Sequence, residues 1–355
     1  MKNTFLLIVS LVGSLLIAEI VHFGYYYVTK IEGIENANSF YGKMQSDDQI
    51  GYKLKANLDN YTSQSAVYNS KVFTDAEGFR NVGRDYATAE LAYFGDSFVE
   101  PSGLNDEDSF HRIIESKTKV GAVSFAVSGW GLAHYSKALE VYLPKLPKVK
   151  EVVIVLFAND FSRKDPNHTN AVFWEKYWTR IETPTASEVY LEHNLFKTFM
   201  SVYEQAKKIA EPAVPYCEQK YIEVDGAKLW STPRIKIDEK ALEVTGQFIL
   251  DDLVLLKSKR PDVTLSIVLL PSQEYIWNEL IAKKCPNNAQ KIVEAVTFGH
   301  KYISDLGKEN GFNVYDASPA IMSNFKLGKH LFIHNDGHLN ENGHKVLAEY
   351  LEDKF

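Results

Sequence analysis

The chain has 355 residues, of which 45% are hydrophobic and 24% charged. That balance suits a globular protein of one large domain or two modest ones, and it excludes a disordered or fibrous chain. With 46 acidic against 39 basic side chains the formal charge is −7, and no Lys/Arg-rich block stands out, which argues against a nucleic-acid partner.

Residues 5–28 form an apolar stretch that follows Lys2 and carries no charge before Glu19. As a helix it would be about 36 Å long, enough to cross a bilayer core of about 30 Å. Tyr25, Tyr26 and Tyr27 would then sit at the far interface. We read residues 1–28 as an uncleaved membrane anchor. A cleaved signal peptide competes with this, but a small-x-small cleavage site is weak, because Leu16 stands two places before Ala18. A buried soluble helix is the third reading. Both export readings place the rest of the chain in the periplasm or outside the cell. There, Cys217 and Cys285 could form a disulfide, the alternative being two buried thiols.

Residues 29–89 are polar and irregular and are read as a membrane-proximal segment with a few short strands. From residue 90 onward, short apolar runs at 91–94, 122–127, 152–157, 263–270 and 312–315 alternate with helical patterns at 107–117, 133–143, 240–258, 288–310 and 342–353. Near-continuous aliphatic runs suit strands covered on both faces, and the alternation predicts a parallel, doubly wound α/β sheet over 90–355. Residues 162–239 break that pattern. They carry Phe173, Trp174, Tyr177, Trp178 and Trp230 and read as an insertion that either caps a site or only packs.

Chemistry-bearing residues cluster where strands end. Gly95-Asp96-Ser97 follows the first run, Ser128-Gly129 the second and Ala158-Asn159-Asp160 the third, while Asp336-Gly337-His338 precedes the last helical pattern. In an open α/β sheet, ligands bind beyond the carboxyl ends of the strands. A serine hydroxyl needs a base in contact, and the base a carboxylate to orient it. Ser97, His338 and Asp336 supply the three groups. The amides of Ser97 and Gly129 and the side-chain amide of Asn159 could stabilise a developing oxyanion. For Asp160 we expect a structural role.

Gly95-Asp96-Ser97, Gly129, Asn159-Asp160 and Asp336-x-His338 resemble the four blocks of the SGNH, or GDSL-type, hydrolase superfamily. The resemblance covers roughly residues 90–355. It implies a flavodoxin-like three-layer sandwich with a five-stranded parallel sheet. It also implies Ser97 as nucleophile, His338 as base, Asp336 as its orienting carboxylate, and an oxyanion hole of Ser97, Gly129 and Asn159. The stretches 95–100, 338–344 and Gly78-Phe79-Arg80-Asn81 resemble a membrane-anchored bacterial branch. Two departures stand out. The glycine of the usual Gly-x-Asn-Asp is missing, since Leu156 and Phe157 precede Ala158-Asn159, and the Asp336–His338 spacing is one residue short, which resembles that of the alginate-acetylating relatives.

The expected activity is therefore serine-dependent cleavage of an acyl ester, an O-acetyl group above all, on an acylated small molecule or glycan outside the cytoplasm. A carbohydrate O-acetyltransferase using the same residues is one alternative, and a non-catalytic glycan-binding or assembly protein is the other. His330, His334, Asp336, His338 and His344 offer a rival metal site, but no H-E-x-x-H is present, and we expect no metal. No Gly-rich phosphate loop occurs, so no nucleotide cofactor is expected. Neither Ser97 nor Ser128 stands in a G-x-S-x-G, which disfavours the α/β-hydrolase fold. Protein partners are not indicated.

Overall fold

A computed structural model describes residues 20, 21, 23–31, 39, 42–65, 67–157, 160, 215–219, 221–224, 227–230 and 239–355. Most of the expected membrane anchor lies outside these residues, as do Asn159 and the stretch from 161 to 214 that makes up most of the expected insertion. Among the described residues no helix is long and apolar enough to cross a membrane.

Two antiparallel hairpins come first: β1 (Met44–Asp47) with β2 (Gly51–Leu54), and β3 (Tyr61–Gln64) with β4 (Asn69–Val72). The central sheet follows. Its strands are β5 (Leu91–Gly95), β6 (Ala122–Ala126), β7 (Glu151–Phe157), β10 (Thr264–Leu270) and β11 (Asn313–Asp316), with the hairpin β8 (Tyr221–Val224) and β9 (Ala227–Trp230) between β7 and β10. The order across the sheet is β11-β10-β7-β5-β6, and every pairing is parallel. Counting only these five in chain order gives 2-1-3-4-5, the flavodoxin-like arrangement, with its switch point between β5 and β7.

All five aliphatic runs are strands because both faces of the sheet are covered. Alternate side chains feed two separate cores. Ala92, Phe94, Val123, Phe125, Val152, Ile154, Leu156, Ile267 and Leu269 point to one. Leu91, Tyr93, Ala122, Ala126, Val153, Val155, Phe157, Val268 and Leu270 point to the other. Helix Leu132–Tyr142, the helical stretch from Glu239 to Lys259 and Ile303 of helix Pro286–Glu309 pack on the first face. Helices Phe110–Thr118, Ser318–Lys326 and Glu341–Leu351 pack on the second. The helix Ser318–Lys326 is an element the periodicity did not predict.

The first core does not stop at residue 90. Met44, Ile50, Tyr52, Leu54, Val72 and Phe79 belong to it, so the segment read as membrane-proximal is packed into the α/β unit. Asn81 completes this join by acting on the free edge of β6. Its Oδ1 accepts the Ser124 amide at 2.9 Å, and its Nδ2 donates to the Ser124 carbonyl at 3.0 Å. A third, smaller core holds Ile222, Leu229, Ile281, Cys285, Ala289 and Ile292. Cys217 and Cys285 are joined there by a disulfide, which resolves the alternatives left open for them.

Candidate active site

Gly95 of β5 pairs with Ala126 of β6, so the turns carrying Ser97 and Gly129 leave the sheet at the same rim. Ser97 stands at the end of β5, beside the switch point. The turn around it is tight. The Asp96 carbonyl accepts the amides of Val99 at 3.0 Å and Glu100 at 2.8 Å, and the Asp96 carboxylate accepts the Phe98 amide at 3.0 Å. Gly95 is required for this turn, since a Cβ there would lie 2.4 Å from Val99 Cγ2.

His338 reaches Ser97 from the other end of the chain. Asn340 anchors its loop: the Oδ1 caps helix Glu341–Leu351 by accepting the Gly343 amide at 3.0 Å, and the Nδ2 donates to the carbonyls of His330 and Phe332. A bridge between Phe332 and Leu339 closes the loop, and the Ile333 amide donates to the His338 carbonyl at 2.8 Å. Ser97 Oγ lies 2.8 Å from His338 Nε2, and His338 Nδ1 is hydrogen-bonded to Asp336 Oδ1. With Nδ1–H donating to the carboxylate, Nε2 is left to accept the serine proton. The shorter Asp336–His338 spacing therefore still permits contact, helped by left-handed backbone at Asn335 and Gly337.

Gly129 also has left-handed backbone, with φ of 88°. The amides of Ser97 and Gly129 donate to no other group among the described residues, which leaves both available to an incoming oxygen. Asn159, the third expected donor, lies outside the described residues. Asp160 is fully buried and structural: its carboxylate accepts from Tyr135 Oη at 3.1 Å and from the Phe157 amide at 2.9 Å.

The structure adds groups that the sequence reading passed over. Glu100 is buried and bonds to Lys43 and Ser128. Burial alone would raise its carboxyl pKa, but the Lys43 ammonium, the Ser128 hydroxyl and Arg80 together hold it below the ordinary carboxylate range. Tyr68 is half-buried beside Gly103, and its hydroxyl is pushed upward by burial and then by the charges of Glu100 and Asp336. No sequence signal marks Lys43 or Tyr68, because both arrive through the folding of the amino-terminal hairpins.

The remaining tail histidines disperse. His330 and His334 are exposed. His344 is buried, where its Nδ1 accepts the Phe110 amide at 3.2 Å and satisfies a helix N-terminus. Burial, followed by the charges of His338 and Arg80, pushes its pKa down to about 3. Among the described residues no group of three or more His, Cys, Asp or Glu side chains is placed to hold a metal ion.

A scan against protein-family models finds no match, and none of the curated proteins matches the chain. Several solved structures are similar to it. One is a member of the lipolytic protein G-D-S-L family from Veillonella parvula, at 10% identity and a TM-score of 0.43, with 75% of this chain and 98% of that one covered. Another is a carbohydrate esterase family 2 enzyme with a carbohydrate-binding domain from Corynascus thermopiles (Myceliophthora fergusii), at 12% identity and a TM-score of 0.42, covering 75% and 65%. A third is an acetyl-xylooligosaccharide esterase from Geobacillus, at 12% identity and a TM-score of 0.39, covering 76% and 97%. Likeness at this level does not fix a reaction, which has to be argued from the side chains of the site.

Proposed function

We propose that this chain is a serine esterase of the SGNH type that cleaves an O-acetyl ester on a glycan outside the cytoplasm. The observation that carries the reading is the continuous hydrogen-bonded chain from Ser97 Oγ through His338 to Asp336. Ser97 Oγ attacks the ester carbonyl as its proton passes to His338 Nε2. Asp336 holds the imidazole in the tautomer that can accept, and it stabilises the imidazolium that forms. The carbonyl oxygen becomes an oxyanion facing the amides of Ser97 and Gly129. His338 then gives its proton to the departing sugar oxygen as the C–O bond breaks, leaving an acyl group on Ser97. Water adds to that acyl group, His338 takes a proton from the water, and the acid leaves with Ser97 restored.

The Cys217–Cys285 disulfide supports an oxidising compartment, in keeping with the apolar amino terminus. The glycan preference rests on export and on the aromatic residues of the insertion. The test is direct. A fluorophosphonate probe should label the wild-type protein, the protein should hydrolyse an aryl acetate, and both properties should vanish in Ser97→Ala. An inert wild type, or labelling that survives Ser97→Ala, overturns the reading. Release of acetate from acetylated polysaccharides then tests the substrate class.

A further inference from the structure

The turn that carries Gly129 is bound to the turn that carries Ser97 by a buried polar chain. Glu100 Oε2 accepts the Ser128 amide at 2.7 Å and also bonds to the Ser128 hydroxyl. That hydroxyl bonds in turn to Ser102 Oγ, and the Ser102 amide donates to the Ser97 carbonyl at 3.1 Å. Glu100 Oε1 accepts from Lys43 Nζ at 2.6 Å, with both side chains almost completely buried. Tyr52 supports the same turn: its hydroxyl donates to the Ser128 carbonyl at 3.1 Å, and its own carbonyl accepts from Trp130 Nε1 at 3.0 Å. Ser128 is therefore held at its amide, its hydroxyl and its carbonyl, immediately before the glycine with left-handed backbone.

A buried ion pair is weak evidence for stability, because desolvating two charges offsets their attraction. Its location needs a different explanation. An oxyanion donor stabilises a transition state only when it is already aimed at the position the charge will occupy. We propose that Lys43 and Glu100 are positioning residues for the oxyanion hole, so that the amino-terminal segment is an obligatory part of the active centre. Glu100 fixes Ser128, and through it the direction of the Gly129 amide. Lys43 keeps Glu100 ionised, and so purely an acceptor, inside the protein. This inference rests on the esterase reading, since it assigns Gly129 a catalytic amide.

The experiment compares wild type, Glu100→Gln, Lys43→Met and the double variant Lys43→Met/Glu100→Gln, with an aryl acetate as substrate. Melting curves are recorded alongside, and assays are run well below each midpoint. A misdirected donor is missed in the transition state but not in the bound ester. Glu100→Gln and Lys43→Met should therefore lower kcat about 10- to 100-fold with KM within about twofold. The double variant, which buries no unpaired charge, should recover part of the loss seen in Lys43→Met. Fluorophosphonate labelling of Ser97 should persist in all of them at a reduced rate. Variants that melt earlier but keep wild-type kcat make the pair merely structural and overturn the proposal, while leaving the esterase reading intact. A wild type without Ser97-dependent turnover overturns both. If Glu100→Gln does not fold, Ser128→Ala removes the two hydroxyl bonds of the same chain, to Glu100 and to Ser102; it should lower kcat about 3- to 10-fold at unchanged KM, and an unchanged kcat again overturns the proposal.

Discussion

Ser97 and His338 meet at 2.8 Å, yet their surroundings differ. Ser97 is 8% exposed, on a turn cross-linked to its neighbours by Asp96, Glu100 and Ser102. The His338 and Asp336 side chains are 26% and 22% exposed, on a loop held by one bridge, a few backbone bonds and the Asn340 cap. The first side is tied to remote segments by buried hydrogen bonds, while the second takes most of its hydrogen bonds from within residues 330–343 and sets Leu331, Phe332 and Leu339 into the second core. Damage to the first should cost stability and activity together. Damage to the second should cost activity alone.

The largest effect expected tests the second half of that contrast. His338→Ala should lower kcat on an aryl acetate by about 10⁴-fold or more, since the serine loses its base. Its melting temperature should stay within about 2 °C of wild type, because the side chain is partly exposed and its ring contact is with Phe98 alone among the described residues. Asp336→Asn should follow with a loss of about 10²- to 10⁴-fold, because the amide no longer selects the accepting tautomer. A large drop in melting temperature for either would mean that the loop is as tightly built as the turn opposite.

Gly95→Ala probes the first half. The added methyl meets Val99 Cγ2, so the turn must shift or strain. Overpacking of this kind costs about 1–3 kcal/mol. We expect a melting point lower by roughly 3–8 °C and a kcat reduced about 10-fold as Ser97 moves off line. Adding Val99→Ala should restore part of both. Loss of activity without loss of stability would break the contrast between the two sides.

The two sides also differed in how far they could be read in advance. The five central strands were legible because a sheet covered on both faces demands aliphatic runs that few other structures produce. Ser97, Asp336 and His338 were legible because each falls at the end of such a run or just before the final helix, in a short motif with its own spacing. Lys43 and Ser128 were not legible as partners of Glu100, because the contacts join positions 57 and 28 residues apart along the chain. His344 meets Phe110 across 234 residues, and it is buried near the start of helix Glu341–Leu351. The Cys217–Cys285 pairing was open for the same reason: sequence separation carries no distance. Asn159 lies outside the described residues, so its expected role remains a prediction from sequence alone.

A smaller effect concerns acid stability, and it comes from two buried histidines that belong to neither the Ser97 turn nor the His338 loop. His344 has a folded pKa near 3, and His111, also fully buried, is held well below its ordinary value by burial and then by Arg112. The unfolded chain therefore binds more protons than the folded one from about pH 6.5 downward, and stability falls as pH falls through that window. For His344 alone the loss between pH 7 and pH 5 should be about 2 kcal/mol. Urea midpoints recorded across that range should show the slope, and His344→Asn, which keeps an acceptor for the Phe110 amide, should flatten it. An unchanged slope would mean that His344 becomes protonated without unfolding.

The smallest effect on catalysis is expected from the third core. The Cys217–Cys285 disulfide belongs to the third core, around β8, β9 and helix Pro286–Glu309, and it closes a loop of 68 residues. Constraining a loop of that size stabilises a protein by a few kcal/mol, typically about 2–4. The double variant Cys217→Ala/Cys285→Ala should therefore melt several degrees earlier. Among the described residues, none of the groups bonded to Ser97, His338 or Glu100 comes from that core, so kcat for a small aryl acetate should stay within about twofold. The same variant assayed on an acetylated polysaccharide sharpens the comparison. If the β8–β9 hairpin only packs, both substrates respond alike, whereas a KM that rises for the polymer alone would join this region to glycan binding.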